Sequence, residues 1–158
     1  MECYVRKHDK LVRHLDMCIE EVSREYARVT MPITENHKNG MGVAHGGAIF
    51  SLADVAFGCA ANAGNDHGVV SLSTTIEYLR PGMVSPLKAE ARLVRNGAHV
   101  LTYEVDVYDG SGAHVAKCLS TGFQTNVPLP PLARPGRRSL FSVRSLPARE
   151  PPSGNAPH

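Results

Sequence analysis

Hydrophobic and polar positions along this chain repeat with two different periods, and the switch between them marks where its elements lie. From Tyr26 to Met31 the side chains alternate, Tyr26, Arg28 and Thr30 against Ala27, Val29 and Met31, the two-residue period of a half-buried strand. That strand is expected to run on to Ile33, with Pro32 near its end, where a missing N–H is tolerated. A shorter strand, Met17 to Val22, precedes it across a Ser23-Arg24-Glu25 turn. Residues 4–14 fit a short amphipathic helix with Tyr4, Leu11 and Val12 as its apolar set. From residue 45 the period lengthens. Projected on a 3.6-residue helix, residues 45–63 place Ile49, Leu52, Ala56, Cys59, Ala60 and Ala63 on one side. Asp54 falls opposite, with Gly47, Phe50, Ser51, Phe57, Gly58 and Ala61 around it. A carboxylate on such a small, apolar face needs a reason.

The two-residue period then returns four times. Val69–Leu79, Leu87–Arg95, Val100–Tyr108 and Val115–Gln124 read as strands. The first follows a Gly64–Gly68 turn and ends at Arg80-Pro81-Gly82. The last two joints, Asn96-Gly97 and Asp109-Gly110-Ser111-Gly112, are hairpin signals. Connections this short cannot carry a parallel crossover, so the pairing is antiparallel. Glu35–Gly42 is a polar loop that delivers the chain to residue 45. The expected fold class is α+β, a six-stranded antiparallel sheet curled around one long helix. The helix is rich in Ala and Gly because large side chains would hold a wrapped sheet too far away.

Past Asn126 the pattern stops, and eight of the 11 prolines lie there. The expected organisation is one folded domain over residues 1–126 and a Pro/Arg-rich, solvated tail over 127–158. Charge divides the same way. The tail holds Arg134, Arg137, Arg138, Arg144 and Arg149 against Glu150, which leaves 12 basic and 14 acidic residues in the rest of the chain. A nucleic-acid binder would carry a basic stripe in its folded part, and none is visible. No apolar run approaches a membrane span, and the charged start MECYVRKHDK does not resemble a secretory signal. Cys3, Cys18, Cys59 and Cys118 are scattered, as reduced thiols of a cytoplasmic protein would be. The 8 histidines include no H-x-x-x-H pair and no zinc spacing with cysteine, so no metal site is expected.

The run N-G-x-x-x-x-H-G-G-x-x-F-S-L-A-D-x-A-F from Asn39 to Phe57, followed by T-I-E-Y-L-R-P-G from Thr75 to Gly82, resembles the hotdog-fold acyl-CoA thioesterases, and among them the phenylacetate-pathway (hydroxyphenylacetyl-CoA) enzymes. The resemblance extends from about Leu15 to about Thr125. It implies an acyl-CoA substrate, hydrolysis without metal or other cofactor, and a homodimer as the active unit, doubled into a homotetramer. It also implies that Asp54 is the catalytic base or nucleophile, that Gly46 supplies an oxyanion-hole amide, and that Asn39 and His45 assist the thioester and its water. Ser71 and Ser73 fall where some relatives place a water-positioning hydroxyl. Met41 stands where some relatives have a histidine.

The chemistry suits these residue types. Thioester hydrolysis needs a nucleophile at the carbonyl and donors to hold its oxygen as it becomes negative. The first turn of a helix leaves N–H groups unpaired at the positive end of the macrodipole. Gly46 and Gly47 at such a start let a substrate approach the backbone, although two glycines also serve plain helix–sheet packing. His45 is equally readable as a packed helix-start residue, and Asn39 as an ordinary turn residue. Phe50 and Phe57 would line an acyl pocket of modest size, and Arg80 and Arg95 would meet the phosphates of coenzyme A. Gly46 and Asp54 are eight residues apart, about 12 Å along one helix, too far to share one carbonyl carbon. The expected site is therefore composite, with Asp54 of one chain facing Asn39, His45 and Gly46 of its two-fold partner. Two other readings remain: a hydroxyacyl-thioester dehydratase on the same fold, and a non-catalytic acyl-CoA-binding protein.

Overall fold

The computed structural model describes Val5 and residues 7–129. Six strands form one sheet, all neighbours antiparallel: β1 (Cys18–Val22), β2 (Tyr26–Met31), β3 (His67–Tyr78), β4 (Leu87–Asn96), β5 (Val100–Tyr108) and β6 (His114–Pro128). Their spatial order is β1-β2-β4-β5-β6-β3, so β1 and β3 are the edges. The helices that position the site are α1 (Lys10–His14) and the long α2 (Gly46–Asn62), with a 3₁₀ turn at Glu35–His37. This is the expected hotdog layout, one long helix against a curled antiparallel sheet.

The alternation in β2 is realised residue by residue, with Ala27, Val29 and Met31 buried and Tyr26, Arg28 and Thr30 half-buried. The strand stops at Met31, two residues earlier than expected, because Pro32 has no N–H to continue the ladder. The N-terminal helix differs more. Asp9 adopts extended backbone and its Oδ1 accepts the Leu11 and Val12 N–H groups at 2.9 and 3.1 Å, so it caps a fresh start for α1. Of the expected apolar set only Val12 enters the core. Leu11 is exposed, and Tyr4 lies outside the described residues.

Helix α2 buries all six residues of the expected core side. It also buries Ala53, Phe57 and Ala61. The wrapped sheet encloses a wider arc than a flat one would; besides the terminal turns, a strip of Gly47, Phe50, Ser51, Asp54, Val55 and Gly58 stays at least partly open. Phe57 is where this corrects the sequence reading. Its ring meets Tyr103 of β5 edge-on, with centroids 5.5 Å apart and planes at 73°. Its tip lies over Gly122 of β6, where a Cβ would come within 2.8 Å of it. Phe57 is a core residue of its own chain, not a lining of the open strip. At the far end, Asn62 accepts the Val69 N–H at 2.7 Å and donates to the Val69 carbonyl at 3.1 Å, tying the helix end to β3.

Strand β6 runs through Asn126 to Pro128, pairing Pro128 with His67. The expected domain limit at 126 therefore falls inside a strand, because the ladder continues despite the change in composition. Residues 130–158, most of the expected tail, lie outside the described residues. Among the described residues no helix is long and apolar enough to cross a membrane.

Candidate active site

Three backbone segments meet where α2 begins. The loop from Glu35 arrives with a histidine that the sequence reading passed over. His37 is buried; Thr34 N–H donates to its Nδ1 at 3.1 Å, so its Nε2 donates to the Leu15 carbonyl at 3.1 Å. The His37 carbonyl in turn accepts the His45 N–H at 2.7 Å. One ring thus joins the end of α1 to the entry of α2. No sequence period could have shown this, because His37 sits in a polar loop and its partners are all local or backbone groups.

Asn39 forms the turn within that loop. Its Oδ1 accepts from Met41 N–H at 2.9 Å and Val43 N–H at 3.4 Å, and its carbonyl accepts from Gly42 N–H at 3.0 Å. This is an Asx-type turn. It consumes the acceptor end of the side chain. Ala44 N–H then donates to the Gly82 carbonyl at 3.0 Å, which sets the loop against the segment after β3.

His45 is the N-cap of α2, and its Nδ1 accepts the Gly47 N–H at 2.9 Å. With Nδ1 accepting, the ring proton sits on Nε2, and the ring is exposed. The Gly46 N–H has no acceptor among the described residues, the orphan that a helix start leaves. Gly46 also leaves room for a neighbouring ring, which a larger residue would displace by a few tenths of an ångström. A Cβ there would lie 3.3 Å from the ring of Tyr78, whose hydroxyl donates to the Gly46 carbonyl at 3.0 Å. Burial holds the Tyr78 hydroxyl above its usual pKa, with Cys118 adding to the shift, so it is a donor across the neutral range.

Asp54 lies half-buried on the open strip of α2, eight residues past Gly46. Among the described residues no hydrogen bond or ion pair holds its carboxylate. Burial raises its pKa above the ordinary aspartate value, and the nearby charge of Asp9 raises it further. An unpaired carboxylate biased toward its neutral form is an unusual residue to keep on a packed helix.

The remaining expected residues separate. Phe50 is half-buried on the same strip as Asp54. Ser71 and Ser73 do not act together, because a bulge at Leu72 intervenes: Ser71 pairs with Gly122 and Ser73 with Thr121. Directly paired residues share a face. Ser71 therefore lies on the helix side with Gly122, and Ser73 points to the outer face, which corrects its assignment to the site. Arg80 follows β3 beside Val115, close to the start of α2. Arg95 lies seven residues along β4 from Lys88, level with Thr102. Among the described residues no group of three His, Cys, Asp or Glu is placed to hold a metal ion.

A long helix capped by histidine, wrapped by a curled antiparallel sheet and bearing a lone acid at its middle, defines the class of hotdog thioester hydrolases. The Thioesterase superfamily profile matches residues 41–116, which spans the helix and the β3–β5 strands. The chain is 37% identical over 131 residues to a putative esterase of Archaeoglobus fulgidus, covering 81% of this chain and 83% of that one. It is 33% identical over 111 residues to the acyl-coenzyme A thioesterase PaaI of Escherichia coli, covering 70% and 79%. The solved structure of the E. coli PaaI protein from the phenylacetic acid degradation operon superposes with a TM-score of 0.76 at 28% identity, over 80% of this chain and 91% of that one. The chain belongs to the thioesterase superfamily.

Proposed function

We propose that this protein hydrolyses acyl-CoA thioesters of modest size, including aromatic acyl groups of the hydroxyphenylacetyl type, at a site shared by two chains. The observation that carries this is the unpaired, half-buried Asp54 on the open strip of a helix whose first amide, Gly46 N–H, is also unpaired. Donor and acid lie on one helix about 12 Å apart and so cannot meet at one carbonyl in a single chain. Two antiparallel copies of α2 would bring Gly46 and His45 of one chain to Asp54 of the other. Gly46 N–H and His45 Nε2–H then hold the thioester oxygen, and Asp54 activates water or attacks the carbonyl carbon. Phe50 lies between these groups in sequence and lines the acyl end. Arg80, beside the helix start, is the cation for a coenzyme A phosphate. The relative named as an acyl-coenzyme A thioesterase supports the substrate class, and the phenylacetic acid degradation operon of the solved relative supports an aromatic acyl group.

The open edge of β3 supports the two-chain arrangement. It carries Val70, Leu72 and Tyr78, each about half exposed, along a strand that among the described residues is bonded on one side only. Leu119, Phe123 and Val100 are exposed together on the outer face of the sheet, where a second dimer would complete a tetramer.

The test is thiol release from a panel of aromatic and medium-chain acyl-CoAs. Asp54→Asn should lower kcat about 100-fold or more. Gly46→Pro removes the amide at a helix position that accommodates proline and should also be inactive. Mixed dimers of the two variants hold one intact site and should regain part of the activity. Full turnover by Asp54→Asn, with acyl-CoA bound as tightly as before, would favour a dehydratase or a binding protein.

A further inference from the structure

The peptide between Gly46 and Gly47 is held from both ends. Its carbonyl accepts the Tyr78 hydroxyl at 3.0 Å, and its N–H donates to His45 Nδ1 at 2.9 Å. Hydrogen bonds arranged head to tail through one amide polarise it, and each strengthens the other. Tyr78 reaches this peptide from β3, a different element, and its ring lies against the Gly46 Cα where a side chain would be tight. The tyrosine hydroxyl is taken up by the Gly46 carbonyl, so what its geometry offers is a hold on that peptide.

We propose that Tyr78 is a positioning residue for His45: through the 46–47 peptide it keeps Nδ1 as the acceptor and the ring proton on Nε2, facing the thioester site. Without it the Gly47 N–H still donates to Nδ1 but from a less polarised amide, so the other tautomer, whose outward nitrogen has no proton to give, gains population. The strand that packs the helix start thereby also fixes which hydrogen bond the histidine offers. This inference rests on the reading of His45 as a donor to the substrate, but its direct readout is independent of turnover.

Tyr78→Phe in the full-length protein keeps the ring against Gly46 and removes only the hydroxyl. The ¹⁵N shifts of the His45 ring, measured at neutral pH, should move from an Nε2–H pattern toward a mixture of tautomers, while the thermal melt stays within a few degrees of the parent. Turnover should fall about 3- to 10-fold in kcat, with KM changed less than twofold. In a His45→Ala background the same change should cost nothing further, because the group it positions is gone. Unaltered ring shifts in Tyr78→Phe would overturn the proposal, as would an equal loss of kcat with and without His45. If Asp54→Asn proved fully active while the ring shifts moved, the hydrolase reading would fail and the positioning role would stand.

Discussion

Asp54 owes its character to what is missing around it. A surface aspartate on a helix normally finds water or a basic neighbour; this one is half-buried and unpaired, and the carboxylate of Asp9 lies close enough to resist its ionisation. In the proposed hydrolysis Asp54 acts in its ionised form, so the acidic limb of the kcat/KM profile should sit at higher pH than an ordinary aspartate would give. Asp9→Asn keeps the cap of α1, since asparagine caps as well as aspartate, but removes the repelling charge. The acidic limb should then move to lower pH with the maximum little changed. A limb that stays in place would show that burial alone sets the shift. Asn39 and His45 show how one residue can be both structural and available. Each spends one polar end on its own backbone and keeps a second polar end that these bonds do not use.

At the level of elements, the helix and five of the six strands were legible to within a residue or two, since their periods are long and unbroken. Phe57 was misplaced because a helical projection assumes a flat partner, whereas a wrapped sheet buries more than half of the circumference. Ser73 was misplaced because a strict two-residue period cannot register the bulge at Leu72. The Tyr78–Gly46 contact joins residues 32 apart, and no local pattern encodes it. The proposed composite site also makes a geometric demand on the helix. If Gly46 of one antiparallel α2 faces Asp54 of the other, the two-fold axis passes beside the residue midway between them, Phe50. Phe50→Cys should therefore cross-link its own copy under mild oxidation, giving a species of twice the chain mass on non-reducing gels. Cross-linking through cysteine at position 58 instead of 50 would displace the axis and separate the two halves of the proposed site.

Over the whole molecule, the loop after β3 is fixed from a distance. Asp109, buried in the turn between β5 and β6, accepts from the Met83 and Val84 N–H groups at 3.3 and 3.2 Å and from the N–H and hydroxyl of Ser111 at 2.9 and 2.5 Å. These bonds hold its carboxyl at a pKa of about 2. A depressed carboxylate stabilises the fold above its unfolded pKa, and that stability is lost as pH falls through the folded value. Urea unfolding midpoints should drop between about pH 4 and pH 2, and Asp109→Asn should flatten that drop. At neutral pH, Asp109→Ala should cost about 3 kcal/mol, because several buried donors lose their acceptor. The site would feel the change indirectly, since Gly82 in the same loop accepts the Ala44 N–H just ahead of His45.

Among the described residues, strand β3 is bonded to β6 along one side and to no strand on the other. In deuterated solvent, its amides should sort into two populations according to which way each N–H points. Those facing β6 should retain hydrogen for as long as the sheet survives. Those facing outward should exchange within seconds at high dilution and slow down as concentration is raised. The rate at which that second set takes up the isotope is therefore a gauge of how much of the protein has found its counterpart.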